Sequence, residues 1–156
     1  VVAAEFVWVA ATDPRMTEVH ALRHEVLFAP FGLPRDDGWD DEGADRRHLV
    51  ALAGGQVVGY LNMIVELAGS GHVRQVSVTG AFQGTGVGRA LMCEAEAEAM
   101  RIGLSLLWLN ARVSAEGFYH RLGYRTTSVE SFPSGRTRVP HVRMERVLCA
   151  DTSRKR

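Results

Sequence analysis

The apolar positions of the chain change period several times, and each change marks an element. Residues 2–10 are rich in β-branched and aromatic side chains and predict a strand. Asp13-Pro14 then offers a capping carboxylate followed by proline at a first helical position. Met16, Val19, Leu22 and Val26 recur at three- and four-residue steps, so a helix with one apolar stripe is expected to about Leu27. From 29 to 45 the pattern dissolves among Pro30, Gly32, Pro34, Gly38 and Gly43, and this irregular stretch carries Asp36, Asp37, Asp40, Asp41, Glu42 and Asp45. Two β-like runs, 48–53 and 56–66, flank Gly54-Gly55, which can take the positive φ angles of a tight hairpin turn. A further strand is expected at 72–78, with Arg74, Val76 and Val78 on one face.

Past that strand Gly84, Gly86 and Gly88 lead into an alanine- and glutamate-rich stretch, 89–102, whose propensity and lack of proline predict a helix stopped by Gly103. Residues 104–109 are continuously apolar, as a buried parallel strand is, so strand, helix and strand form a crossover unit expected to be right-handed. Ser114 is placed to cap a last short helix running to Leu122 and closed by Gly123. Segments near 124–132 and 140–147 supply the final strands. The sum is a mixed sheet with helices.

At 156 residues, 46% apolar and 23% charged, the chain suits one folded domain, expected over 1–150, with a basic tail at 151–156. Eighteen basic residues balance eighteen acidic ones, leaving no net field to hold a polyanion, so nucleic acid is not an expected partner. The longest apolar run, 57–65, is broken by Asn62 and too short to cross a bilayer. With no leader pattern at the start, a cytoplasmic setting is expected. Cys93 and Cys149 have neither disulfide nor zinc-site spacing. His20 and His24 stand four apart on the first helix, but Ala21 replaces the glutamate of a zinc-protease motif, and no metal is expected.

The chemistry concentrates at Gln83-Gly84-Thr85-Gly86-Val87-Gly88. A strand turning through glycines into a helix leaves main-chain N–H groups unpaired at the positive end of the helix dipole, where they attract an anion such as a pyrophosphate. No Gly-Lys-Ser/Thr follows, which excludes the nucleotide-hydrolase loop, and Arg89 stands where a dinucleotide fingerprint needs its third glycine.

The pattern that fits is Gln-x-x-Gly-x-Gly at Gln83, Gly86 and Gly88, preceded by Val76-Ser77-Val78. Here the sequence resembles the GNAT superfamily of acetyl-coenzyme A-dependent N-acetyltransferases. Asn110, then Ala115-x-x-Phe118-Tyr119-x-x-x-Gly123-Tyr124, is similar to the downstream half of that family's cofactor site, in the same order and spacing. A weaker resemblance to the ElaA-like branch lies in Leu22-Arg23-x-x-Val26, Asp40-Asp41, Arg47-His48 and Pro140-His141-x-x-Met144.

The resemblance implies an α/β (α+β) fold: a mixed, mostly antiparallel twisted sheet of about six or seven strands flanked by about four helices, with a central β-loop-α crossover binding pyrophosphate. It implies acetyl-coenzyme A as acyl donor, a primary amine of a small molecule or peptide as acceptor, and a monomer or homodimer. The pyrophosphate is expected on the amides of Gln83, Gly84, Thr85, Gly86, Val87, Gly88 and Arg89, and the pantetheine arm along the backbone of Val76, Ser77 and Val78, with the Val78 N–H polarising the thioester carbonyl. Asn110, Ser114 and Phe118 are expected beside the cofactor. Tyr119 matches the tyrosine that protonates the departing thiolate in many relatives.

An amine with a pKa of about 10.4 is almost wholly protonated at neutral pH, so a base is required. Glu25, Asp41, His48 and His141 are the candidates, the histidines having the best-matched pKa. Cys93 has no identifiable activating histidine, so direct transfer is preferred to a ping-pong route. The rival functions are a non-catalytic acyl-coenzyme A sensor and a nicotinamide-dependent oxidoreductase.

Overall fold

The computed structural model describes residues 3–148. Cys149 and the 151–156 tail lie outside the described residues. The described chain divides into two compact units, residues 3–64 with 73–95, and residues 65–72 with 96–148. Eight strands and three α-helices occur among the described residues, where the sequence predicts six or seven strands and about four helices.

In the first unit β1 (Glu5–Val9), β2 (Arg46–Ala53), β3 (Gln56–Val65) and the later residues of β4 (Ser70–Val78) are hydrogen-bonded in that order. The β2–β3 hairpin turns where expected, with Ala53 opposite Gln56 and φ of 57° and 77° at Gly54 and Gly55. Helix α1 (Met16–Arg23) begins two residues after Pro14. The Asp13 carboxylate accepts the Arg15 N–H at 2.9 Å, holding a turn ahead of the helix instead of capping it. Met16, Val19 and Leu22 are buried as the stripe requires, with Val50, Leu52 and Tyr60. Each such aliphatic side chain contributes roughly 1.5–3 kcal/mol. Beyond Arg23 the coil widens into a π-helical turn, His24–Phe28, then a 3-10 turn, Ala29–Phe31, which buries Phe28 outside the three-and-four register.

Helix α2 (Val87–Arg101) rests on the β2–β3 hairpin at Gly59. A Cβ there would meet Val87 Cγ1 at 3.0 Å, Leu91 Cδ1 at 3.1 Å and Ala51 Cβ at 3.2 Å, so a methyl would fit only if these neighbours gave way together, and the close approach favours glycine.

In the second unit β5 (Leu106–Arg112) pairs in parallel with the start of β4, from Ser70↔Leu106 to His72↔Trp108, and antiparallel with β8 (Pro140–Val147). The chain from β4 to β5 passes through α2, which is the expected crossover connection. Strands β6 (Arg125–Thr126) and β7 (Phe132–Pro133) both pair with β8; the single segment expected at 124–132 is thus two short strands. Leu107, Leu109 and Ala111 alternate inward along β5 with Val142 and Met144 of β8. Helix α3 (Glu116–Arg121) ends at Gly123, φ 96°, as predicted. It starts differently: a 3-10 turn, Val113–Ala115, precedes it, Ala115 takes the cap position, and Ser114 makes no side-chain cap. Among the described residues no helix is long and apolar enough to cross a membrane, and no three His, Cys, Asp or Glu side chains converge as metal ligands.

Candidate active site

After β4 the chain makes a 3-10 turn, Gly80–Phe82, extends at Gln83, and passes through Gly84 at φ 77° and Gly86 at φ 94° into α2. These angles, not crowding, demand the two glycines, since a Cβ on either would meet nothing within 4 Å. The space over the loop is open. The Ala90 N–H donates to Gly86 O at 3.0 Å as the helix begins, so the amides of Val87, Gly88 and Arg89 precede the intrahelical ladder and stand at its positive end. The Gln83 and Thr85 amides are occupied, donating to Gly80 O and Phe82 O at 3.3 Å each. The cradle is therefore narrower than the full run 83–89. The Gln83 side chain ties the loop to its strand, Nε2 donating to Val78 O at 2.9 Å. Exposed glycine backbone ahead of a fifteen-residue helix, with free space above it, fits a pyrophosphate.

The strand that enters this loop offers backbone only. Ser77 is 1% exposed and its Oγ donates back to Gln75 O at 3.0 Å, so its hydroxyl points away from solvent. Val76 and Val78 are half-buried. Gln75, one residue earlier, has φ 58°.

A polar cluster lies under this strand within the same unit. Arg23 is fully buried and forks onto Asp41, Nη1 to Oδ1 at 2.8 Å and Nη2 to Oδ2 at 2.7 Å. Nη1 also donates to Gln75 Oε1 at 2.8 Å and Nη2 to His20 Nδ1 at 3.0 Å. The guanidinium sits over Trp39, 4.1 Å from its centroid, and over Tyr60 at 4.9 Å, while Trp39 stacks on Phe28. His48 Nε2 lies 3.0 Å from Asp41 O, a pure acceptor, so Nε2 carries the proton and Nδ1 accepts from the Tyr60 hydroxyl at 2.7 Å. Tyr60 in turn accepts from Asn62 Nδ2 at 3.2 Å, and Asn62 Nδ2 also donates to Gln75 Oε1 at 2.8 Å. Burial pushes the Tyr60 phenol far above its ordinary range, which keeps it a donor. Burial would raise the Asp41 carboxyl, but Arg23's hydrogen bonds and charge hold it below the aspartate range.

Two base candidates are thereby engaged. His48 is 2% exposed with both ring nitrogens bonded internally, and Asp41 is locked to Arg23. Glu25 accepts from Thr79 Oγ1 at 3.0 Å. Five of the six acidic residues in 36–45 also have partners: Asp36 takes the Gly38 N–H, Asp37 pairs with Arg35, Asp40 and Asp45 with Arg46, and Asp41 with Arg23. The sequence signal for the cluster was Asn62, a lone amide inside an apolar strand, which burial obliges to find partners.

In the second unit Tyr119 is buried on α3, edge-on to Phe118 at 4.9 Å and to Tyr124 at 5.9 Å. Burial pushes its phenol far above the usual tyrosine range. Asn110 is exposed on β5 opposite Arg143, and Ser114 is exposed in its 3-10 turn. His141, opposite Arg112 on β8, is half-buried, and its Nδ1 donates to Val139 O at 2.7 Å. That bond fixes the tautomer with Nε2 as the acceptor. Beneath α3, Glu96 receives Arg146 at 2.6 Å; burial raises its carboxyl, which Arg146 partly offsets.

Residues 39–148 match the family model described as an Acetyltransferase (GNAT) domain. The uncharacterized N-acetyltransferase YjcF of Bacillus subtilis (strain 168) is 26% identical over 136 residues, covering 87% of this chain and 95% of that protein. An acyl-CoA N-acyltransferase from Pseudomonas aeruginosa superposes with TM-score 0.77 at 26% identity, covering 92% of this chain and 99% of that one. Escherichia coli ElaA has the same fold, with TM-score 0.78 at 21% identity over 91% of this chain and 99% of its own.

Proposed function

Because the chain belongs to the GNAT acetyltransferase family, we propose that it moves an acetyl group from acetyl-coenzyme A to a primary amine of a small molecule or peptide, by direct transfer while both are bound. The observation that carries this is the glycine turn into α2, where open space over Gly84 and Gly86 adjoins main-chain amides that precede the first intrahelical bond of a long helix. In this proposal Gly84, Gly86 and the amides of Val87, Gly88 and Arg89 hold the pyrophosphate, and the backbone of Val76–Val78 lines the pantetheine arm. Acetyl-coenzyme A supplies an activated thioester carbonyl. Tyr119, kept protonated by burial, is the proton donor to the departing thiolate. His141 is the favoured base, since its Nε2 is the free acceptor, whereas His48 has neither nitrogen to spare. Asn110, Ser114 and Phe118 remain proposed cofactor neighbours, and the setting is proposed to be cytoplasmic.

The test is thiol release from acetyl-coenzyme A across an amine panel, alongside coenzyme A binding by native mass spectrometry. Wild type should bind and release thiol with at least one amine. Gly86→Asp should stay folded yet lose binding, because it sets a carboxylate beside the phosphates. Gly32→Asp, at φ 70° with nothing within 4 Å of its Cβ, carries the same charge and a similar backbone cost and should bind normally. Binding without release for any acceptor would point to an acyl-coenzyme A sensor; binding retained in Gly86→Asp would displace the cradle.

A further inference from the structure

At φ 58°, Gln75 occupies the left-handed region, at a cost of roughly 1–2 kcal/mol for a side-chain-bearing L-residue. Something must hold it there, and glutamine lacks the short polar group with which asparagine offsets the same conformation locally. The hold comes from two other segments. Arg23 Nη1 and Asn62 Nδ2 both donate to Gln75 Oε1 at 2.8 Å. Neither donor is free to move. Arg23 is fixed by the Asp41 fork, by His20 and by the rings of Trp39 and Tyr60, and Asn62 by Tyr60, whose hydroxyl is anchored on His48. The Ser77 Oγ donates to Gln75 O from the strand itself. Apolar side chains at 23, 62 and 75 would fill the space without the desolvation penalty of a buried guanidinium, but would have no directional grip on a strained residue.

We infer that Arg23 and Asn62 are positioning residues that clamp Gln75 in its left-handed conformation and thereby set the direction in which the backbone N–H and C=O groups of Val76–Val78 leave the strand. The inference rests on the donor-strand role proposed above for those three residues. Relaxation of Gln75 to an extended φ would turn every peptide group that follows it, and a displacement of about 1 Å in a reacting group costs on the order of 100-fold in rate.

Replacing Arg23 would strand Asp41 and risks unfolding, so the test is a pair of changes at Gln75. Gln75→Ala removes the grip and keeps the conformational penalty; Gln75→Gly removes the grip and most of the need for it. With acetyl-coenzyme A and an acceptor, Gln75→Ala should lower kcat on the order of 100-fold, and Gln75→Gly should return to within about tenfold of wild type. Coenzyme A affinity should fall by no more than about tenfold in Gln75→Ala, where pantetheine contacts at 76–78 weaken while the glycine loop keeps the pyrophosphate, and by less than about threefold in Gln75→Gly. Hydrogen exchange over 76–78 in the coenzyme A complex is the second readout: protection should be lost in Gln75→Ala and kept in Gln75→Gly. Wild-type turnover and exchange in Gln75→Ala overturn the clamp, and so does equal impairment of both variants. Should wild type bind coenzyme A and acetylate nothing, the proposed activity falls, and the Ala–Gly difference in exchange still decides the clamp.

Discussion

Asp40 and Asp41 are adjacent, identical and each paired with an arginine, yet the structure assigns them opposite weights. In the Arg46–Asp40 pair 70% of the Asp40 side chain is exposed, whereas in the Arg23–Asp41 pair the aspartate is 10% exposed and the arginine not at all. Asp41→Asn keeps the shape and removes the charge, leaving a buried guanidinium with one neutral acceptor in place of a carboxylate fork. Breaking a buried pair in this way costs about 3–5 kcal/mol. The retained bonds to Gln75 and His20 and the two aromatic faces favour the lower end. Asp40→Asn should cost about 0–1 kcal/mol. At roughly 2–4 °C per kcal/mol for a chain of this size, Asp41→Asn should melt about 6–20 °C below wild type and Asp40→Asn at most about 4 °C below.

Urea unfolding at fixed pH measures both, and a pH series adds a signed check. Because the folded Asp41 carboxyl lies below its unfolded value, its contribution is complete above about pH 4–5 and drains away as pH falls through the folded pKa. The gap between wild type and Asp41→Asn should therefore be flat from pH 7 to about 5 and close on further acidification. Equal losses for the two variants, or a gap that widens in acid, would refute the claim that burial gives the Arg23–Asp41 pair its weight.

Two more outcomes are expected. Gly59→Ala should destabilise by about 1–3 kcal/mol in thermal or urea unfolding, because its methyl would press on Val87, Leu91 and Ala51 at once. Unchanged stability would mean that α2 can lift from the hairpin freely. Tyr119→Phe should reduce kcat on the order of 100-fold with coenzyme A affinity unchanged. Since burial drives that phenol upward, any alkaline decline in kcat below about pH 10 belongs to another group and should persist in the Phe variant.

Much of the scaffold was legible in short windows of sequence. The Met16–Val19–Leu22 stripe, the Gly54-Gly55 hairpin and the Gly123 stop each depend on φ preferences or on a period spanning fewer than about fifteen residues, so nearby side chains suffice to encode them. The glycine turn belongs to the same class, because Gly84 and Gly86 are required by backbone angle alone. Some local signals went astray: Asp13 turned to its near neighbour Arg15 instead of capping α1, and the helix widened into a π turn beyond Arg23.

The interior of the cluster was decided elsewhere. Position 23 flanks the helix stripe and holds an arginine, which by residue type belongs on the surface. What buries it is Asp41, eighteen residues on, and Gln75, fifty-two residues on. The same holds for His48, whose two nitrogens meet Tyr60 and Asp41, and for Gln75, whose conformation no neighbour in sequence requires. The sequence by itself determined which segments curl, pleat or turn, since those choices are made among adjacent dihedrals. Only the tertiary structure decided which polar groups could leave water, because a buried charge or amide is tolerable only once its partners arrive from distant parts of the chain.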